Sequence, residues 1–160
     1  MGEALNRSLA FQRVLAPATA RLKQPPVEGS DQPLDVAVVF TSSASTIAAL
    51  RKAAALVDRL STRIKLLVPQ VVPYPRPLES PPVLLDFSEQ RFHEIAAECP
   101  AEIIVQIYLC RDRAETLKDV LAARSLVVIG AHKTWWPTRE KRLARTLRRA
   151  GHEVIVTEME

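Results

Sequence analysis

The sequence predicts an α/β fold: a three-layer α/β/α sandwich in which a five-stranded parallel sheet lies between two layers of helices. Short apolar runs rich in β-branched residues recur at Asp35–Phe40, Ile64–Val68, Glu102–Cys110, Leu126–Ile129 and Val154–Val156. Runs of this kind suit strands covered on both faces. The segments between them carry helical periodicity, and the junctions carry residues that start or stop helices. Regular alternation of strand and helix implies a parallel sheet with helices on both faces. Right-handed crossovers then leave few topologies.

The first strand, Asp35–Phe40, runs into Thr41-Ser42-Ser43-Ala44-Ser45, where a serine is expected to cap the first helix. Ile47, Leu50, Ala54 and Val57 fall on one face of that helix, which ends near Leu60. In the second strand Pro69 is expected to stop the ladder. Val71–Pro82 holds five prolines and predicts a stiff, extended connection across the carboxyl edge of the sheet. Asp86 and Glu89 have capping-box spacing for a helix between Val83 and Cys99. The third strand, Glu102–Cys110, has one partly polar face and reads as an edge strand. Asp112 with Glu115 caps a third helix running to about Ala123. Gly130 ends the fourth strand where the chain must turn. Pro137 suits the first turn of the next helix, Gly151 stops that helix, and Glu158–Glu160 frays.

The chain has 160 residues, 48% hydrophobic and 25% charged, which suits one domain with a substantial core. No apolar run is long enough to span a bilayer, so no membrane association is expected. Cys99 and Cys110 form neither a disulfide framework nor a zinc-like cluster with His93, His132 and His152. They read as thiols in a reducing, cytoplasmic compartment, and no metal is expected. Residues 1–33 read as a frayed or weakly helical extension followed by a Pro/Gly linker, and 34–160 as the folded domain. Gly2 does not make a myristoylation site, because Asn6 stands where Ser or Thr is wanted. The net charge of +4 is concentrated between Ala131 and Ala150, where seven Lys or Arg stand against one acid, Glu140.

Three stretches carry a resemblance. Thr41-Ser42-Ser43 is followed by Ala49-Leu50. Val128-Ile129-Gly130-Ala131-His132-Lys133 is similar to a strand-loop motif of the form Val-Met-Gly-Thr-His-Gly. Glu153–Thr157 is similar to a last strand of the form Pro-Val-Leu-Val-Val. From about Leu34 to Val156 the chain resembles the universal stress protein family, within the adenine-nucleotide-binding α/β superfamily. The resemblance implies strand order 3-2-1-4-5, a role in stress response, and a homodimer paired through the last strand. It also implies a ligand site at the switch point between the first and fourth strands, where Thr41, Ser42, Ser43, Gly130, His132 and Lys133 would gather. Nucleotide-binding members carry Gly-x-x-Gly and then Gly-Ser or Gly-Thr, so that backbone N–H groups approach the phosphates. Here Lys133 replaces the second Gly, no Gly-Ser or Gly-Thr follows, Thr41 replaces the acid that contacts adenosine, and Trp135-Trp136-Pro137 fills the phosphate loop. No cofactor is therefore expected, and ATP in particular is not.

Three functions remain open on these residues. The leading one is a non-enzymatic domain with a degenerate nucleotide site, acting through contacts with an unidentified protein partner. The second is a binder of a nucleotide or other small anion at Thr41–Ser43 and Gly130–Lys133. The third is a basic nucleic-acid-associated module using helix 138–150, with Arg139, Arg142, Arg145 and Arg149 as phosphate contacts. The aromatic pair is expected to pack, one Trp on the sheet edge and the other over the proline loop. Arg111 and Arg113 beside Cys110 raise the question of a lowered thiol pKa, although a plain interior thiol is the simpler reading. No catalytic residue is assigned, because no marked nucleophile can be joined to a base.

Overall fold

The computed structural model of the chain describes residues 11–15, 35–58 and 63–160. Its strands are β1 (Phe11–Leu15), β2 (Val36–Val39), β3 (Ile64–Val71), β4 (Ile103–Cys110), β5 (Leu126–His132) and β6 (Glu153–Met159). Its helices are α1 (Ser43–Val57), α2 (Leu85–Ala97), α3 (Arg113–Val120) and α4 (Arg139–Arg149). The sheet order is β1-β4-β3-β2-β5-β6. The five strands from β2 to β6 are mutually parallel, in the expected order 3-2-1-4-5 when counted among themselves.

Alternation along β2 sorts the two cores. Val36 and Val38 face α1 and α2, packing with Leu50, Ile64, Leu66, Phe92 and Val128. Ala37 and Val39 face α3 and α4, packing with Leu117, Ile129, Leu143 and Leu147. Successive strand side chains point to opposite faces, so a parallel strand covered twice must be apolar throughout, as β2 is. In α1 the buried stripe is Thr46, Ala49, Leu50 and Ala53, with Ser45 at its start. Ile47, Ala54 and Val57 lie at its half-buried margin, so the true face is rotated from the expected one.

Several expectations are corrected. Phe11–Leu15, assigned to a frayed or weakly helical extension, is a strand paired antiparallel with β4, Gln12 opposite Leu109 and Val14 opposite Ile107. The sheet therefore reaches into the extension, and β4 is not an edge. The rest of the extension and the Pro/Gly linker lie outside the described residues. Pro69 does not stop β3, which runs on to Val71. Phe40 donates to the Leu67 carbonyl, so odd-numbered groups of β3 face β2. The missing N–H of Pro69 then points past the end of β2, where no ladder bond is lost. Asp86 does not cap α2; Leu84 is the N-cap residue and gives no side-chain bond, and Asp86 lies in the first turn. Gly130 does not end β5, which continues to His132. Pro137 precedes α4 rather than opening it, because Thr138 is the cap, accepting from the Lys141 N–H. β6 runs on to Met159 instead of fraying at Glu158.

Other signals hold. Ser42 caps α1, accepting from Ser45 N, and Asp112 caps α3, accepting from Glu115 N at 2.9 Å. Gly151, at φ +98°, closes α4. Its N–H donates to Arg148 O, and His152 N donates to Leu147 O, the paired bonds that satisfy the last carbonyls of a helix. The connection after β3 is tied down but not extended: it folds in turns, Arg76 N donating to Pro73 O and Ser80 N to Pro77 O, with Val72 and Leu78 buried beside Leu109. Arg111 donates to Val72 O (2.7 Å) and Arg76 O (2.9 Å).

Candidate functional site

β2 and β5 are neighbours, with Val39 beside Ile129. The topology therefore brings Thr41–Ser43 and Gly130–Lys133 to one carboxyl edge. Within that edge the side chains serve the fold. Thr41 Oγ1 donates to Gly130 O at 2.9 Å, and Thr41 N donates to Thr46 Oγ1 at 3.1 Å. Ser42 is the α1 cap. Ser43 Oγ accepts from Arg91 Nη2 at 3.0 Å. The backbone carbonyl of Ser45, in the first turn of α1, lies 1.9 Å from where a Gly130 Cβ would sit. Gly130 is not at positive φ, so its role is space: the missing Cβ lets α1 lie against β5. His132 and Lys133 are exposed beyond it, and the Lys133 N–H donates to Met159 O at 2.7 Å. The structure thus joins Thr41 to Gly130 directly, commits Ser42 and Ser43 to the helix start, and leaves His132 and Lys133 outside that cluster.

Arginines that sequence reasoning did not assign to this edge close it further. Arg113 Nη2 donates to Phe40 O at 3.0 Å. Arg91 lies 5.6 Å from the Phe40 ring centroid, and Arg111 lies 4.1 Å from that of Tyr74. The one local signal was the Arg111-Asp112-Arg113 sequence directly after β4, where cations reach neighbouring strand ends.

The aromatic pair departs from expectation. Trp135 is 86% exposed and Trp136 64%, so neither packs on the sheet edge or over the proline loop. Their ring centroids are 4.7 Å apart with planes at 42°. In α4, Leu143, Ala144 and Leu147 are buried. Lys141 bonds Thr134 O and pairs with Glu158, and Arg148 donates to Val154 O. Arg139, Arg142, Arg145 and Arg149 are exposed.

Burial pushes the Cys110 thiol up, outweighing a hydrogen bond from Thr116 and the nearby Arg113 charge. The plain interior thiol is the reading this placement fits, and the Cys110 side chain has no access to solvent. Cys99 is buried as well. Both thiols are expected to react with a maleimide only on unfolding, at the rate at which the native state opens. Rapid labelling of Cys110 in the native protein, located by mass spectrometry, would contradict this placement.

Among the described residues, no hydroxyl or thiol is hydrogen-bonded to a histidine ring; His152 Nδ1 accepts from the Ser125 N–H instead. No group of three His, Cys, Asp or Glu among them is placed to hold a metal ion. No helix among them is long and apolar enough to cross a membrane. In comparisons with known proteins, no family model matches this chain and no curated protein does.

Proposed function

We propose that this chain is a non-enzymatic, universal-stress-protein-like domain that works through contacts with protein partners, and that its switch point does not take a nucleotide. The observation that carries the reading is the closure at Gly130. A phosphate cradle needs backbone N–H groups open to a ligand, and here the Ser45 carbonyl occupies the space beside the glycine. Thr41, in the place of the family's acid, is bonded to Gly130 O. Lys133 is exposed and is the remaining cation of the motif. One charge-assisted contact is worth roughly 1.5–3 kcal/mol, against about 8 kcal/mol for micromolar affinity. Calorimetry with ATP and magnesium is expected to give no binding tighter than about millimolar. A micromolar constant abolished by Lys133→Ala would overturn the reading in favour of an anion binder at the switch point.

Protein contact is supported by the exposed apolar side chains of the segment after β3. Leu84 is 80% exposed, and Tyr74 and Phe87, the latter in the first turn of α2, are largely so; the backbone on either side of Tyr74 is tied down by Arg111. An anchored apolar surface is preorganised for association.

A second copy is one such partner. Among the described residues, β6 is the last strand of the sheet. Glu153 N bonds back to Ser125 O, so Val154, Val156 and Glu158 turn their backbone groups outward. Arg148 occupies the Val154 carbonyl, and among the described residues the rest of that row is open to pairing. Sedimentation at micromolar concentration is expected to show a homodimer, and Val156→Pro, which removes an outward N–H without touching the β5 ladder, is expected to give a monomer. A monomeric parent protein, or a dimer unaffected by Val156→Pro, would place any interface elsewhere.

A further inference from the structure

The surface formed by Trp135, Trp136 and the outer face of α4 is unused by the fold, and we infer that it binds single-stranded nucleic acid. This goes beyond the protein-contact reading and does not depend on the state of the switch point. The cations of α4 are divided by their work. Lys141 and Arg148 are engaged by Thr134, Glu158 and Val154. Arg142, Arg145 and Arg149 lie opposite the buried Leu143, Ala144 and Leu147, Arg139 is exposed in the first turn, and none of the four guanidinium groups makes a hydrogen bond or ion pair among the described residues. Glu140, the one acid of the helix, shares i+3, i+4 and i+7 spacing with the buried residues, so the outer row is wholly cationic.

The backbone that carries the tryptophans is held. Trp136 N donates to Thr134 Oγ1 at 3.3 Å, the Thr134 carbonyl takes the Lys141 ammonium, and Thr138 caps the helix immediately afterwards. Two large rings thus stand in solvent on a backbone held at the amino end of a cationic helix. Bases stack on exposed aromatic faces while arginines follow the backbone, a combination that suits an unpaired strand. A duplex keeps its base faces covered and has no use for the rings.

The alternative anionic partner is a lipid surface, and the shape argues against it. The apolar face of α4 is buried on the sheet, so it cannot enter a bilayer as an interfacial helix does. The four arginines extend about 15 Å along the helix axis, leading away from the tryptophans at its start. A linear track that starts at two exposed rings suits a strand, whose bases and phosphates both find partners along it.

The test uses the full-length protein and tryptophan fluorescence. A dT15 or U15 oligonucleotide is expected to quench emission. The affinity should fall with salt at a log–log slope of about −3 for four arginine contacts. Arg142→Gln with Arg145→Gln should halve that slope. Trp135→Ala should weaken binding about tenfold with the slope unchanged. All these side chains are exposed, so the variants retain the fold, as an unchanged thermal midpoint verifies. Comparison of dT15 with U15 tells which sugar is preferred, and quenching by either supports the inference. It is overturned by binding that a 15-base-pair duplex matches, by binding to phosphatidylserine vesicles without binding to either oligonucleotide, by a salt slope indifferent to the arginine changes, or by no quenching. ATP is not expected to compete, so failure here is distinct from failure of the switch-point reading.

Discussion

Gly130→Ala is expected to cost at least about 3 kcal/mol of stability. The added methyl would sit 1.9 Å from the Ser45 carbonyl oxygen and 2.5 Å from its carbon, and both are backbone atoms. No rotamer change relieves such a contact, so α1 must move off β5. Overpacking in a fixed core usually costs about 1–3 kcal/mol, and the helix shift adds to it. It would strain the Ser42 cap, the Thr41 bond to Gly130 O and the Thr41–Thr46 bond together. For a domain of this size about 1 kcal/mol moves the thermal midpoint by roughly 2–4 °C, so a fall of about 6–12 °C or more is expected. Gly151→Ala is the control. Nothing lies within 4 Å of a Cβ there, and the cost is the left-handed backbone alone, about 1–2 kcal/mol. Equal midpoints for the two variants, or a Gly130→Ala protein as stable as the parent, would show that the glycine does not set the distance between α1 and β5.

That glycine also marks how far the sequence could be read. The strand cores Val36–Val39, Leu126–Ile129 and Val154–Val156 are runs whose burial on two faces follows from composition, and local signals placed a serine cap after the first strand and the cap at Asp112. The ends of elements were harder because they depend on what lies alongside. Pro69 stays in β3 because β2 is too short to need its N–H, and Gly130 stays in β5 because its demand is set by a helix eighty-odd residues earlier in the chain. Neither fact is local. The candidate site shared this difficulty. Its members could be gathered from strand order, but Thr41 bonding Gly130 O is a contact across 89 positions that replaces a ligand role with a structural one. The two tryptophans were expected to be buried because large aromatic rings usually are. They stand instead in the short bent segment between β5 and α4, exposed to solvent. One signal was legible and unused: Ile103–Cys110 carries no charge over eight residues, which is unlike an open edge strand and implies that something covers it.

What covers it gives the second large effect. Deleting residues 1–20 is expected to turn the protein into a self-associating species at micromolar concentration. The Cys110 carbonyl accepts from Val72 N, so even-numbered groups of β4 face β3, and those of Ile107 and Leu109 face β1. Their partners in the antiparallel register are Val14 and Gln12, which are thereby the hydrogen-bonded pairs. Removal of β1 leaves these N–H and C=O groups as an open, uncharged edge, a template for strand pairing between molecules. The thermal midpoint should fall by only a few degrees, because fixing five residues costs roughly 1–2 kcal/mol each and offsets much of the ladder it forms. The larger change is in solubility. Proline substitutions separate the ladder from the mere presence of the segment. Val14→Pro removes an N–H that faces β4 and should reproduce the association in part. Arg13→Pro removes one that faces outward and should not. Light scattering and sedimentation across the three variants decide the matter: a truncated protein that stays as soluble as the parent, or an Arg13→Pro variant as disruptive as Val14→Pro, would show that β1 does not guard β4 in solution.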